Sequence, residues 1–363
     1  MKAGILTIYD TENLGNRLQN YALQQTLLQY ADEVVTIRNK QDSGSRLKNM
    51  KRASRLSESS ALATLLKQPR KAKFLKFDRK HIRYTRHCYW YNRPDAAMKP
   101  EDRCDLYCAG SDQIWNPLLE RDGMFNYLGF ADREAAFSYA ASFGIDRIPE
   151  DYEPLIRQGL EHIRHLSIRE EEGRQLIQSI SGRTDAQVHI DPTMLLTPEE
   201  WNAVAQAPDH PLPEKYLLTY FLGTVSSQRQ QTIRETAAAL GCEVVELMDP
   251  GSLFHITGPA EFLYLIRHAR LVCTDSFHGS VFSFLFQRPL AIFSRDGDTQ
   301  KMGGRIRTFV DTFGLQDCLA NEDLMPMIPD QADYTEGYAV LAEKKKAAHA
   351  FLQQVFAKET AAL

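Results

Sequence analysis

Long apolar runs are missing from this chain of 363 residues. No stretch approaches the roughly 18 consecutive apolar residues from which a membrane-spanning helix is built. The segment after Met1 is short and turns polar too quickly for a secretory signal peptide. We therefore expect a cytoplasmic protein, and the charge pattern described below leaves contact with the inner face of the membrane open.

Cysteine is scarce, and its spacing carries no metal signature. The chain has 6 cysteines, no Cys-x-x-Cys pair and no neighbouring histidines at zinc-ligand spacing. A disulfide framework and a zinc knuckle therefore have no support, and no cluster of ligands calls for a tightly held metal ion.

Length and composition indicate an ordinary globular protein with two domains. Hydrophobic residues make up 43% and charged residues 25% of the chain, and 363 residues exceed one typical core. We expect an N-terminal domain over residues 1–195, a C-terminal domain over 196–335 and a closing helix over 336–363. A helical insertion without a strand pattern is expected at about 41–100.

Positive charge is concentrated in one stretch. Residues 41–86 contain 14 Lys or Arg against 3 acidic residues, a net charge of +11, although the whole chain carries -4. The stretch can be a solvated helical face, or a basic groove for anionic lipid headgroups or a diphosphate-linked acceptor. Interleaved aromatic residues and a nucleic-acid-binding fold are lacking, so we expect no nucleic-acid partner.

Residues 271–293 show the clearest local pattern, a short apolar strand, a polar turn, a buried helix and a second strand. Such a βαβ unit places the turn at the carboxyl end of its sheet, where α/β proteins bind ligands. The turn contains His278, and free amides at the helix N-terminus attract anions. A phosphorylated substrate is therefore the first expectation.

Polar loops follow predicted strands in the first half as well. The loop at 10–16 follows a strand at 4–9; Gly15 there can adopt positive φ, and Asn13 and Asn16 can bind a ligand or simply form a turn and helix cap. A second loop, at 110–117, follows a strand at 105–109. Strands and helices alternate in both halves, which predicts an α/β protein with two Rossmann-like, parallel-sheet domains facing a cleft.

Six motifs occur in an order that is similar to that of the polysaccharide pyruvyl transferase family. They are NLGNRLQNYALQ at 13–24, GSDQIWNP at 110–117, AASFG at 140–144, SIRE at 167–170, DPT at 191–193 and TDSFHG at 274–279. The resemblance implies a fold similar to the GT-B glycosyltransferases. It also implies transfer of pyruvate from phosphoenolpyruvate to a sugar of a surface polysaccharide or its lipid-linked precursor, as a ketal and without a further cofactor.

One departure from the family pattern concerns positive charge. Several members carry arginine in a Ser-x-Arg-x-His pattern, and Ser276 stands at that place here. Phosphoenolpyruvate carries a phosphate and a carboxylate, so the site needs cations, ideally arginines. We expect Arg169 and, in a loop after two glycines, Arg305 and Arg307 to supply them, with Lys301 a weaker candidate. Each can equally form a surface ion pair.

The remaining site residues follow from the chemistry. Ketal formation needs a general acid or base near neutral pH, and His278 fits as that group or as a phosphate ligand. Asp112 is the second acid or base candidate, although an aspartate after Gly-Ser commonly caps its turn. Asp275 is a candidate to orient His278, and Trp115 either stacks on a sugar or anchors its loop. The expected binding residues are Asn13, Gly15, Asn16, Gln113, Asn116, Ser142, Ser276, Gly279 and Ser280.

Two other functions stay open. A nucleotide-sugar glycosyltransferase would need a nucleotide-binding acidic residue late in the second domain, where Asp296, Asp298 and Asp311 are candidates. A non-catalytic subunit of a polysaccharide-assembly complex would explain the missing motif arginine.

Overall fold

The computed structural model describes residues 1–8, 13–40, 69–90, 98–119, 123–295, 303–321, 325 and 327–360. These residues belong to two compact units. The first unit comprises Met1–Leu195 and Lys344–Leu363, and the second comprises Leu196–Glu343.

The first unit is built on a parallel five-stranded sheet in the order β3-β2-β1-β4-β5. Its strands are β1 (Lys2–Leu6), β2 (Glu33–Lys40), β3 (Tyr84–Trp90), β4 (Leu106–Ala109) and β5 (Ala136–Ser138). Its helices are α1 (Leu14–Leu27), α2 (Pro69–His81), α3 (Glu153–His162) and α4 (Glu171–Ser181). Strands β6 (Ser167–Ile168) and β7 (Gln187–Val188) form a short parallel pair. Isolated parallel bridges connect the segment of β6 to the segment of β5.

Strand β3 corrects the sequence-based expectation for residues 41–100. A helical insertion without strands was expected there, but Tyr84–Trp90 pairs in parallel with β2 and forms the edge of the sheet. The segment carries Arg86 and His87 among its aromatic residues, and its burial is only partial. A partly exposed edge strand lacks the apolar run that marks a central parallel strand. The hydrophobic pattern of the sequence therefore did not predict β3.

The second unit contains another parallel sheet, in the order β12-β11-β10-β8-β9. Along the chain it comprises α5 (Pro198–Val204), β8 (Tyr216–Tyr220), α6 (Ser227–Ala239), β9 (Glu243–Glu246), α7 (Pro259–His268), β10 (Leu271–Thr274), α8 (Phe277–Leu285), β11 (Leu290–Phe293), α9 (Gly303–Phe313) and β12 (Leu319–Ala320). The last helix, α10 (Thr335–Thr360), begins in this unit and ends in the first. Because the strand order reverses at β8, the loops after β8 and β10 leave the sheet at its switch point.

The βαβ unit at 271–293 is confirmed. Strands β10 and β11 are parallel neighbours, and every residue of the connecting helix α8 is buried. A helix that is apolar on all sides must be covered on all sides, so α8 lies inside the unit with its N-terminal turn at the carboxyl end of β10. Both units are α/β with parallel sheets, as the alternating pattern predicts. Among the described residues, no helix combines the length and apolarity needed to cross a membrane.

Candidate functional site

Asp112 lies at the carboxyl end of β4 in an unusual backbone conformation. Its φ is 72°, in the left-handed region that non-glycine residues rarely adopt. The side chain is buried, and its Oδ1 accepts a hydrogen bond of 3.0 Å from the backbone amide of Gln113. Asp112 therefore does cap its own turn. Its Oδ2 accepts a second hydrogen bond of 2.9 Å, from the side-chain amide of Asn16.

Asn16 is oriented by the residue that follows it. Its Oδ1 accepts hydrogen bonds from the guanidinium of Arg17, through Nε at 3.2 Å and through Nη2. Arg17 is fully buried and also donates to the carbonyl of Ile8 and the hydroxyl of Tyr84, both at 2.8 Å. Since the amide oxygen faces a cation, the amide nitrogen must face Asp112. Asp78 completes this group, 3.7 Å from Arg17, and its burial raises its pKa against the opposing effect of Arg17.

Gly15 corrects one expectation. Helix α1 begins at Leu14 rather than near Arg17, so Gly15 lies in its first turn and does not adopt positive φ. The cause is Asn13, whose Oδ1 accepts a 3.0 Å hydrogen bond from the amide of Asn16 and starts the helix early. The cap interpretation of Asn13 is therefore confirmed.

Arg169 is held in a buried network of carboxylates. Its Nη1 donates to Asp191 Oδ2 at 2.7 Å, and its Nε lies 3.8 Å from Glu170. Burial alone lowers the pKa of Arg169, but the carboxylates of Asp191, Glu170 and Asp112 outweigh it and the pKa is raised. Ser111 also donates to Asp191, at 2.8 Å. The surface ion pair considered from the sequence is thus a buried one, with Asp191 as the closest partner.

The other predicted residues of the first unit engage one another. Asn116 donates to Gln113 Oε1 at 2.7 Å, and Ser142 donates to Glu170 Oε1 at 2.7 Å. Trp115 is buried and donates to the carbonyl of Asn126 at 3.1 Å, so it anchors its loop in the core. Asn13, Asn16, Asp112, Gln113, Asn116, Ser142 and Arg169 all lie in loops or helix starts that follow strands of the first unit, Arg169 after β6 and the others after strands of the five-stranded sheet. We call this set, with Glu170 and Asp191, the Asp112 cluster.

In the second unit, Ser276, Gly279 and Ser280 shape the first turn of α8. Ser276 is its N-cap and accepts a 3.4 Å hydrogen bond from the amide of Gly279, while Ser280 donates back to the carbonyl of Ser276 at 3.1 Å. A Cβ at Gly279 would lie 2.5 Å from Thr274 Oγ1, so only glycine fits there. These contacts are local, and a role of the three residues in binding substrate stays a prediction.

Asp275 ties β10 to the loop after β8. Its two oxygens accept hydrogen bonds from the backbone amides of Leu222, at 2.7 Å, and Gly223, at 2.8 Å. Arg295, which follows β11, lies 3.7 Å from the same carboxylate. These partners, rather than His278, account for the orientation of Asp275.

Arg305 and Arg307 differ sharply. Both were expected in a loop, but they lie in the first turns of α9, where Arg305 is 8% exposed and Arg307 is exposed. Side chains two positions apart on a helix point to nearly opposite sides, so Arg307 points away from Arg305. Their opposite directions give no support to a shared site, and a binding role of Arg307 stays a prediction.

Aromatic packing brings the start of α9 close to the start of α8. Phe309 of α9 lies 5.9 Å from Phe277, at the start of α8, and Phe313 lies 5.0 Å from Phe284, further along α8. The two helices therefore run side by side in the same direction. Arg305 lies one turn before Phe309 on the same face of α9, and so on the side of α9 that faces the start of α8, which contains the buried His278.

Some predicted residues lie outside the described part of the chain, namely Lys301, Asp296, Asp298 and residues 41–68. Asp311 is exposed on α9 and accepts a hydrogen bond from Gln316. The sequence analysis assigned no role to Arg17, Glu170, Asp191 or Arg295. The first three lie within the quoted motifs and could have been found there. The only sequence feature that pointed to Arg295 was its position just after an apolar strand.

The fold and these two groups of residues define an α/β protein with polar strand-end loops in each of two Rossmann-like units. Its sequence matches the model of the family described as polysaccharide pyruvyl transferase over residues 13–297. The chain belongs to this family. No curated protein sequence matches it significantly.

Several solved structures resemble the chain weakly. UDP-GlcNAc 2-epimerase from Neisseria meningitidis is 12% identical with a TM-score of 0.46, over 98% of this chain and 100% of that one. A putative UDP-N-acetylglucosamine 2-epimerase from Listeria monocytogenes is 11% identical with a TM-score of 0.47, over 97% and 90%. Likeness at this level says nothing about substrate or reaction.

Proposed function

We propose that the protein transfers pyruvate from phosphoenolpyruvate to a sugar of a surface polysaccharide or its lipid-linked precursor. The methylene carbon of phosphoenolpyruvate gains a proton, two sugar hydroxyls lose theirs and bond to the former enol carbon, and phosphate leaves with the second proton. The products are a cyclic ketal and inorganic phosphate. Family membership supports the transfer of pyruvate, and the two groups of residues described above support the division of roles below.

The packing of the Arg305 side of α9 against the start of α8, which contains His278, carries the proposal. A buried histidine lies in the first turn of α8, at the positive end of the helix dipole, and the buried Arg305 lies one turn from Phe309, whose ring packs against Phe277 at the start of α8. This combination suits a small dianion such as phosphoenolpyruvate, because each element favours negative charge. His278 is the proton donor to the methylene carbon or a ligand of the departing phosphate.

The Asp112 cluster suits the sugar acceptor instead. Arg169 is surrounded by the carboxylates of Asp112, Glu170 and Asp191, so the cluster carries excess negative charge. A dianionic donor is disfavoured there, whereas sugar hydroxyls can donate to the carboxylates and lose a proton to one of them. Asp112 is our candidate base, since its backbone strain is of the kind that is stored at functional sites.

A lipid-linked acceptor gives the basic stretch a role. In the described part of that stretch, α2 buries Phe74 and Phe77, while Lys76, Arg79 and Lys80 are exposed. Such a face can bind anionic headgroups at a membrane surface. Liposome flotation tests this: binding to anionic vesicles should fall with salt, and equal binding to neutral vesicles would contradict it.

The decisive assay supplies phosphoenolpyruvate together with free and lipid-linked saccharides. Phosphate release should match the gain of a carboxyethylidene group on the acceptor, measured by mass spectrometry. Consumption of a nucleotide sugar without phosphoenolpyruvate would show a glycosyltransferase and contradict the proposal. An absence of turnover with every acceptor, in a folded protein, would favour the non-catalytic subunit.

A further inference from the structure

The second unit contains a cavity of about 460 Å³ at the carboxyl ends of β8 and β9. Its apolar wall includes Phe221, Val225 and Ile233, and its polar wall includes Arg234, Glu246 and Asp249. The volume falls in the range of about 300–1,000 Å³ that is typical of small-molecule sites. The cavity opens at the strand edge where α/β sheets bind ligands, next to the switch point at β8.

Opposite charges face this cavity without neutralising one another. Glu246 is the last residue of β9, Asp249 lies in the following turn and Arg234 projects from α6. In the described part of the chain, neither Arg234 nor Glu246 forms an ion pair with another residue. Charged groups that line a cavity and are not paired with each other remain available to a ligand.

The balance of these charges selects the ligand. Two carboxylates against one guanidinium leave the cavity with net negative charge, which disfavours phosphates and carboxylates. Carboxylates accept pairs of hydrogen bonds from neighbouring hydroxyls, and Arg234 and Gln230 can donate to ring and hydroxyl oxygens. The apolar wall accommodates the carbon face of a ring.

We propose that this cavity binds a neutral, hydroxyl-rich ring through Glu246 and Asp249. The ring has two possible sources, a hexose of the saccharide acceptor or the ribose of a nucleoside. An acidic residue at the end of the second strand of a Rossmann unit is well suited to ribose hydroxyls, and a hexose diol offers the same pair of donors. This site is additional to the phosphoenolpyruvate and acceptor groups proposed above.

One hydrogen bond links the wall of the cavity to the turn that carries His278. Gly223 lines the cavity, and its amide donates to Asp275, three residues before His278. A ligand in the cavity would contact Gly223, which is hydrogen-bonded to Asp275 in the loop that supports the anion site.

Ligand-observed NMR on the full chain tests the proposal with four probes, which are methyl galactoside, methyl glucoside, uridine and adenosine. We expect saturable binding of at least one probe, weakened about tenfold or more by Glu246→Gln and Asp249→Asn, which each remove one charged, hydrogen-bonded contact. Val225→Trp should abolish it by filling the cavity. Glu243→Gln, at the exposed first residue of β9, is the matched control and should bind normally.

The probes distinguish the sources, since glycoside binding alone indicates a sugar and nucleoside binding alone indicates ribose. An absence of saturable binding by all four probes would overturn the proposal. Binding that survives both Glu246→Gln and Val225→Trp would overturn it too. None of these readouts uses phosphoenolpyruvate, so the result does not depend on whether the proposed transfer is correct.

Discussion

The side-chain amide of Asn16 donates to the carboxylate of Asp112 at 2.9 Å, across 96 positions of the chain. Arg17 donates a hydrogen bond to the oxygen of that amide. The amide therefore has one orientation, in which its nitrogen faces Asp112. The bond joins the start of α1 to the loop after β4, two elements at the same edge of the first sheet. It fixes the carboxylate that we propose as the base acting on the acceptor.

Replacement of Asp112 by Asn should therefore remove activity and preserve the fold. Asparagine tolerates the left-handed conformation that φ of 72° requires and keeps an oxygen for the Gln113 amide, and only the hydrogen bond from Asn16 is lost. We expect kcat to fall by about 100-fold or more, the usual effect of losing a general base, with an unchanged circular dichroism spectrum. Asp105→Asn, at the exposed residue before β4, is the control. Wild-type turnover by Asp112→Asn would exclude Asp112 as the base.

The sequence reveals strand-end loops well and the roles of individual residues poorly. The buried run at 271–293 predicts β10, α8 and β11, because an apolar helix between two apolar strands has one common solution. Two predictions were wrong for local reasons. Positive φ at Gly15 was excluded by the early helix cap of Asn13, and β3 was missed because it is an edge strand with charged residues. The Arg169–Asp191 pair joins residues 22 positions apart, and nothing local to either of them reports the partner.

Arg305 and Arg307 provide a matched pair for testing the donor site. Arg305→Ala should raise the KM for phosphoenolpyruvate by about tenfold or more, since a charge-assisted contact to an anion contributes about 1.5–3 kcal/mol. Arg307→Ala removes the same charge from the exposed side of α9 and should leave KM unchanged. Steady-state kinetics with varied phosphoenolpyruvate measure both. Equal effects of the two variants would show that only the net charge of the helix matters.

Asp275 should contribute strongly to the stability of the second unit. Its buried carboxylate accepts two backbone hydrogen bonds and lies near Arg295. Asp275→Ala leaves both amides unsatisfied, so we expect the free energy of unfolding to fall by about 2–4 kcal/mol. Asp275→Asn keeps one acceptor and should cost less. Urea denaturation compares the two, and a loss below that of typical surface substitutions in both would contradict this role.

His189 should make the protein less stable in mild acid. Its ring is buried, contacts Ser167 Oγ at 2.8 Å through Nδ1 and lies parallel to Tyr139, with the ring centroids 5.9 Å apart. Burial, with a smaller effect of Lys344, lowers its pKa to about 4 from an ordinary value of 6.5. As pH falls from 6.5 to 4, the unfolded chain therefore gains a proton that the folded chain does not.

The free energy of unfolding should accordingly decrease over that interval, by up to about 3 kcal/mol from this group, and the decrease should end below the folded pKa. Above pH 6.5 the contribution is complete, because both states hold the neutral ring. His189→Gln removes the titration and should flatten the pH dependence relative to the wild type. Urea unfolding across this pH range measures the difference. Parallel curves for the wild type and His189→Gln would show that His189 takes up its proton equally in both states.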